Sequence, residues 1–223
     1  HSHVCSVTTV GEETQIHMGA VVGHVPQDIT FENKPSFLNI GKRNVIREYA
    51  TIHRGTKEGS ATVIGDDCYL MAVSHIGHNC QIGNKVVIAN CALLAGHVTV
   101  EDGSFISGNV VVHQFCRIGE LSIIGGFTGI NKDVPPYMLV RGPSVVRGVN
   151  LIGLRRAKCP KETINNIKEA FKLLYQSDLN TAQAIDRIKK LGASKELGHL
   201  VEFIQGSKRG ICKYKYSDAE YFE

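Results

Sequence analysis

The sequence predicts a mainly β protein, a parallel β-helix of hexapeptide repeats followed by a helical C-terminal region, and three observations carry that prediction. Every sixth residue from Ile64 is aliphatic: Ile64, Leu70, Ile76, Ile82, Ile88, Leu94, Val100, Ile106, Val112, Ile118, Ile124 and Ile130. The same phase recurs upstream, in Val4, Val10, Ile16 and Val22 and again in Ile40, Ile46 and Ile52. The pattern then stops at about Asn150 and gives way to helical spacing. A six-residue period suits neither an amphipathic helix nor an alternating strand. It suits short strands joined by corners, with one aliphatic side chain turned inward per repeat. Three hexapeptides close one triangular coil of roughly 18 residues, and the repeats amount to about six coils.

Taken in order, the chain opens in mid-repeat at His1, which reads as a truncated or processed form. Polar, turn-forming stretches at Pro26–Asn39 and Arg54–Val63 interrupt the phase, so both read as loops pushed out of the coil. A β-helix is expected over residues 1–149 and a helical domain over 150–223. Pro160 is suited to the first position of a helix whose inner face carries Ile164, Ile167, Phe171 and Leu174. A second helix is expected from Thr181 to Leu191, stopped by Gly192. A third is expected after Ser194 as cap, carrying Leu197, Leu200, Val201 and Ile204. The helical tail is placed to cover the open end of the coil, where strand edges are otherwise unpaired. Residues Ser217 to Glu223 read as frayed.

Composition narrows the function classes. The 223 residues are 43% hydrophobic, enough for a packed core. A net charge of +4 is too mild for a general nucleic-acid binder and points to local basic patches. No apolar run approaches a membrane span, so no membrane insertion is expected. The 23 glycines suit many tight corners. The seven cysteines form no C-x-x-C pair, and most fall inside apolar repeats as small core residues, which favours a reducing compartment.

The histidines carry the chemistry. His53, His75, His78, His97 and His113 lie in or beside the repeats. Residues 18 apart stack on neighbouring rungs, about 4.8 Å apart, which places His78 over Gly96. A general base beside a glycine amide is an acyl-transfer arrangement: the imidazole removes a proton from the attacking hydroxyl, and the N–H stabilises the oxyanion. Two alternatives stand beside it. His75 and His78 are spaced H-x-x-H, as zinc ligands can be, and a β-helix can be only a scaffold.

Dense segments then identify a family. IREYATIHRGT from Ile46, SHIGHNCQIGN from Ser74, LLAGHVTVED from Leu93, VVHQFCRIG from Val111, KDVPPYMLVRG from Lys132 and GVNLIGLRRA from Gly148 resemble the UDP-N-acetylglucosamine O-acyltransferases of the hexapeptide-repeat superfamily. The resemblance implies left-handed coils, a homotrimer in the bacterial cytoplasm or an organelle of that origin, and no cofactor or metal. It also implies transfer of an (R)-3-hydroxyacyl group from acyl carrier protein to the sugar 3-position of UDP-N-acetylglucosamine, the first step of lipid A synthesis. His78 matches the base and Gly96 the oxyanion amide. Gln27, Asp28, His53, His75 and His97 match positions around the sugar and acyl carbonyl; His113, Gln114, Asn150 and Arg156 match nucleotide-side positions. Gly126 matches the end of the acyl groove, with space for roughly 14 carbons. The family's N-terminal coils are missing from this chain. It also departs from the family pattern at Thr30, where Lys is common, at Asn79 (Asp), at Ile152 (an acid) and at Ala157 (Arg). These lie around the sugar and nucleotide, so a 3-hydroxyl and a 3-amino acceptor both stay open. An acidic carrier would dock on a basic surface drawn from Arg43, Arg47, Arg54, Lys57, Arg117, Lys132, Arg141 and Arg147. Alternatives within the superfamily are the next N-acyltransferase of the pathway and a zinc-dependent carbonic anhydrase.

Overall fold

The computed structural model describes residues 1–214; the expected fraying of Ser217 to Glu223 lies outside them. Short strands, parallel except for one antiparallel pair, stack into three sheets of seven, six and nine strands, the flat walls of a triangular prism. In the first sheet His75 pairs with Thr51 and with Leu93, and Leu93 with Val111, so one rung follows another without slippage. All the aliphatics from Ile64 to Ile130 in the six-residue series are at most 3% exposed, and they form one continuous core. Val4 and Val10, on the first coil, are exposed because they pack against a rung on one side only.

The corners are made differently from the glycine-based expectation. The left-handed residue of a corner is usually an L side chain: Tyr49, Asp67, Val73, Asn79, Lys85, Cys91, His97, Asn109, Phe115, Leu121 and Phe127 all have positive φ. Many glycines sit instead just after the inward aliphatic, where neighbouring rungs come closest. A Cβ on Gly77 would lie 2.8 Å from the backbone of Ala95 and Gly96. The glycines are there for inter-rung clearance, and the corner itself is held by hydrogen bonds between rungs.

Both loops leave the prism where expected, after Val21–His24 and after Thr51–His53, and both leave from the edge between the first and second sheets. After Gly129–Ile130 the chain makes an antiparallel pair, Met138–Val140 with Val145–Val149, on the end of the third sheet. Helix α1 (Leu151–Arg156) follows directly; the sequence reading missed it. The other helices are α2 (Lys161–Tyr175), α3 (Thr181–Ile188) and α4 (Lys195–Gln205). Pro160 is the cap of α2 and stands outside its first turn. Asn180 closes a capping box with Gln183, α3 ends short of Leu191, and Ser194 caps α4 as expected.

The helices do more than cover the coil's end. α4 lies along the second sheet, where His199 Nε2 meets Glu101 Oε2 at 2.7 Å and the Arg117 guanidinium stacks 4.0 Å from the Phe203 ring. Buried Asp133 ties the two parts together, accepting from Arg117 N–H at 2.9 Å and Ser207 hydroxyl at 2.7 Å. The chain then returns Lys213–Tyr214 to the third sheet. Among the described residues no helix is long and apolar enough to cross a membrane. Cys68, Cys80, Cys116 and Cys212 are buried, and burial pushes the Cys80 thiol up to about 12, so it packs as an apolar group. Cys91 is an exception to the core reading, exposed at a left-handed corner.

Candidate active site

The edge between the first and second sheets collects nearly all the candidate chemistry. His53 ends one strand on it; the column His78, Gly96 and Gln114 runs down it with its left-handed partners Asn79, His97 and Phe115. Both loops open above that column. The interruptions of the repeat and the histidines therefore share one edge.

His78 lies against Gly96. A Cβ built on residue 96 would fall on the His78 imidazole at Cε1 and Nε2. Gly96 does not itself have a positive φ; that conformation belongs to His97, at +61°. Glycine is therefore required at 96 by the imidazole, with no demand from its own backbone angle. The corner N–H on this column differs from those on the edge that follows. On the edge between the second and third sheets, Lys42, Asp66 and Asn84 donate theirs to Asp66, Asn84 and Asp102 of the next rung, each at 2.8 Å. The Gly96 N–H donates to no group among the described residues.

The tautomer of His78 follows from its partner. Asn79 Oδ1 accepts from the Thr56 backbone N–H at 3.1 Å and the Thr56 hydroxyl at 2.9 Å. A backbone N–H only donates, so that atom is the amide oxygen, and His78 Nδ1, 3.0 Å away, is the protonated nitrogen. In the neutral ring the lone pair is then on Nε2. Asn79 thus supplies the orienting acceptor for which the family pattern more commonly has Asp, and Thr56, in the second loop, sets it. Sequence reasoning missed Thr56 because the loop breaks the 18-residue rule that found Gly96.

Burial biases the surrounding imidazoles toward the neutral form. Burial, then the neighbouring His75, His24 and His78, hold His53 down at about 4. Burial and then His78 lower His75, whose Nδ1 is 2.8 Å from the Thr51 hydroxyl. Burial leads again at His97, followed by His78 and Lys57. His97 sits edge-on to His78, 5.2 Å between centroids, and stacks on Phe115 at 4.7 Å. Asp28 is half-exposed on the first loop; the Thr30 N–H and hydroxyl bind its carboxylate and lower its pKa. Thr30, where the family often has Lys, thus turns toward Asp28. Gln27 beside it is exposed.

These shifts have a consequence for stability. Unfolded, residue 53 titrates near 6.5; folded, near 4. Between those values the unfolded chain holds the extra proton, so stability is full above the window and falls as pH drops through it, by on the order of 2 kcal/mol after allowance for screening. His53→Gln is expected to shrink the loss of melting temperature between about pH 7 and pH 4.5. An unchanged pH dependence would refute the assignment.

The remaining candidates lie farther from His78, on the same edge or on others. His113, whose Nδ1 is 3.0 Å from Gln114 O, and Gln114 are exposed one rung below Gly96. Gly126 is on the edge between the third and first sheets; the left-handed residue there is Phe127, so the backbone angle does not demand glycine at 126, where a Cβ would lie 3.3 Å from Gly108 O. Asn150 and Arg156 are not beside His78. The Asn150 side chain caps α1, accepting from Gly153 N–H at 3.0 Å and donating to Leu121 O at 2.7 Å. This occupies the amide that was read as a nucleotide contact and places it on the edge between the second and third sheets. Arg156 is exposed at the end of α1. Among the basic candidates, Arg54 is buried and Arg117 is covered by α4, so neither offers a docking surface. Arg43 pairs with Asp67 and Arg47 with Glu48, and Lys132 donates to Arg209 O; Lys57, Arg141 and Arg147 remain exposed. Among the described residues no three His, Cys, Asp or Glu side chains converge as a metal site.

A cavity of about 760 Å³ between α4 and the second sheet is lined by His199 but by none of the candidate histidines. The edge that carries those histidines is bordered by exposed Leu93, Val111 and Phe115, with Tyr49, Val73 and Phe127 on the next edge.

Residues 133–212 match the family model described as UDP N-acetylglucosamine O-acyltransferase, domain 2, and residues 61–96 match the bacterial transferase hexapeptide family of six repeats. An acyl-[acyl-carrier-protein]–UDP-N-acetylglucosamine O-acyltransferase of Synechocystis is 45% identical over 90% of this chain and 73% of its own length. One of Thermodesulfovibrio yellowstonii is 46% identical over 96% and 84%. The crystal structure of a UDP-N-acetylglucosamine acyltransferase from Bacteroides fragilis superposes with a TM-score of 0.91 at 39% identity, covering 94% of this chain and 83% of that one. The Arabidopsis structure gives 0.85 at 31% identity, covering 96% and 92%.

Proposed function

The chain belongs to the UDP-N-acetylglucosamine O-acyltransferase family, and on that premise we propose how it moves an acyl group from acyl carrier protein to UDP-N-acetylglucosamine, the first step of lipid A synthesis. One observation carries the mechanism: an imidazole with an anchored Nδ1–H and an open Nε2 lies against a glycine whose N–H is unused. His78 Nε2 takes the proton of the sugar 3-hydroxyl as its oxygen attacks the thioester carbonyl. The Gly96 N–H stabilises the resulting oxyanion. Collapse of the intermediate breaks the carbon–sulfur bond, and the imidazolium returns its proton to the departing carrier thiolate. Asn79 and Thr56 orient the base; Gln27 and Asp28 hold the sugar, and His53, His75 and His97 shape a neutral pocket around it.

The working form is a homotrimer of cytoplasmic type. Two features support assembly with further copies: the apolar surface beside the histidines, and the position of Asn150 and Arg156 on a different edge. A neighbouring copy can bring a second edge to the first, so that Arg156 of one copy and Gln114 of the next serve the nucleotide together across the contact. Asn150 then acts by fixing α1. Gly126 leaves room for the acyl tail, and Lys57, Arg141 and Arg147 meet the acidic carrier.

The test is single-turnover transfer from a series of 3-hydroxyacyl carrier proteins to UDP-N-acetylglucosamine and to its 3-amino analogue, with and without chelator. Transfer indifferent to chelator is expected, with the series reporting chain length and the two sugars reporting the acceptor atom. Loss of activity on chelation, or transfer to neither sugar, would overturn the mechanism.

A further inference from the structure

The residue after His53 has a role that the acyl-transfer steps do not supply. Arg54 is only 9% exposed, and its Nε is buried with no acceptor. No carboxylate pairs with it among the described residues. A buried guanidinium with an orphan donor and no counter-charge is costly, and an apolar side chain of similar volume would fill the space at less cost. Coil stability therefore does not explain an arginine here.

Its side-chain contacts point to one element. Nη2 donates to Asn33 Oδ1 at 2.7 Å, and the guanidinium carbon lies 5.4 Å from the Phe31 ring centroid. Both partners belong to the first loop, and Asn33 is at φ +51°, where the loop reverses. The grip continues inward: Phe31 N–H donates to Asp28 O at 3.0 Å, and the Asp28 carboxylate is within electrostatic reach of His78 and His97. A series of contacts runs from the end of a rigid strand, through Arg54 and Phe31, to Asp28, whose carboxylate acts electrostatically on the base.

We propose that Arg54 is a positioning residue that clamps the first loop through Asn33 and Phe31, and thereby sets how Gln27 and Asp28 meet the acceptor sugar. The role rests on the reading above that UDP-N-acetylglucosamine is the acceptor. A planar guanidinium can stack on Phe31 while donating to Asn33; an ammonium cannot hold both geometries.

The experiment compares the full chain with Arg54→Met, Arg54→Lys and Asn33→Ala. Hydrogen exchange over residues 25–36 needs no substrate and reports the clamp. In Arg54→Met that segment is expected to exchange about tenfold faster while residues 61–96 stay as protected as before. Steady-state transfer is expected to show KM for UDP-N-acetylglucosamine raised about tenfold, with kcat and the KM for the acyl carrier within about threefold. Arg54→Lys and Asn33→Ala should fall between. Unchanged exchange, a loss of protection spread over the whole coil, or an unchanged sugar KM would each overturn the proposal. Failure of the unsubstituted protein to use this sugar would instead sink the acceptor reading, and exchange would still decide whether the clamp exists.

Discussion

Replacing His78 by alanine is expected to lower kcat for acyl transfer by about 10²- to 10⁴-fold, the range that a positioned general base contributes. The fold should be indifferent. What His78 gives the coil is a backbone carbonyl that accepts from His97 N–H at 2.9 Å, and alanine keeps that bond. The imidazole bonds to Asn79 and lies against Gly96, and Asn79 retains Thr56 as partner when the ring is gone. Melting temperature and oligomer mass should therefore match the unsubstituted protein while turnover collapses. The neighbouring histidines cannot readily take over: His53 is buried and held near 4, and His75 is occupied with Thr51. Transfer within a few-fold of normal in His78→Ala would remove the base assignment and shift attention to His97, which shares the same edge.

How much of this was legible beforehand depends on whether a contact lies inside the repeat. The period of six foretold which aliphatics point inward because each coil copies the one above, and a residue's neighbour is then simply the residue 18 along. The same arithmetic brought His78 over Gly96, and no insertion falls between them. Contacts made by inserted loops obey no such rule. Thr56 reaches Asn79, and Arg54 reaches Asn33, only because each loop folds back over its own edge, which periodicity cannot encode. Beyond the repeats the local cues were mixed. Ser194 announced α4, but Asn150 was read as a ligand contact when its amide was the cap of a short helix with a glycine inside it. The course of α4 along the second sheet depends on long-range pairs such as His199 with Glu101 and Arg117 with Phe203, which no local pattern reveals.

Gly96→Ala is the more discriminating substitution because it adds only a methyl group. The backbone at 96 has no positive φ, so alanine should fold without the conformational penalty it would carry at Gly19 or Gly103. The added carbon nevertheless lands on the His78 ring, and the bonded neighbour of that ring, Asn79, is held by two bonds to Thr56. The imidazole must swing away from Nε2's present position, and a misplacement of about 1 Å in a reacting group costs on the order of 10²-fold. The expected result is a fall in kcat of that size with a melting temperature within a few degrees of normal. Combining the two substitutions separates the causes. If alanine at 96 acts by displacing the imidazole, it should do little further harm in a His78→Ala background, where the ring is absent. If it acts by keeping the acyl carbonyl from the free N–H, the loss should persist in that background. Either pattern ties Gly96 to the chemistry, whereas full activity in the single variant would show that neither the ring nor the amide is positioned as the reaction requires.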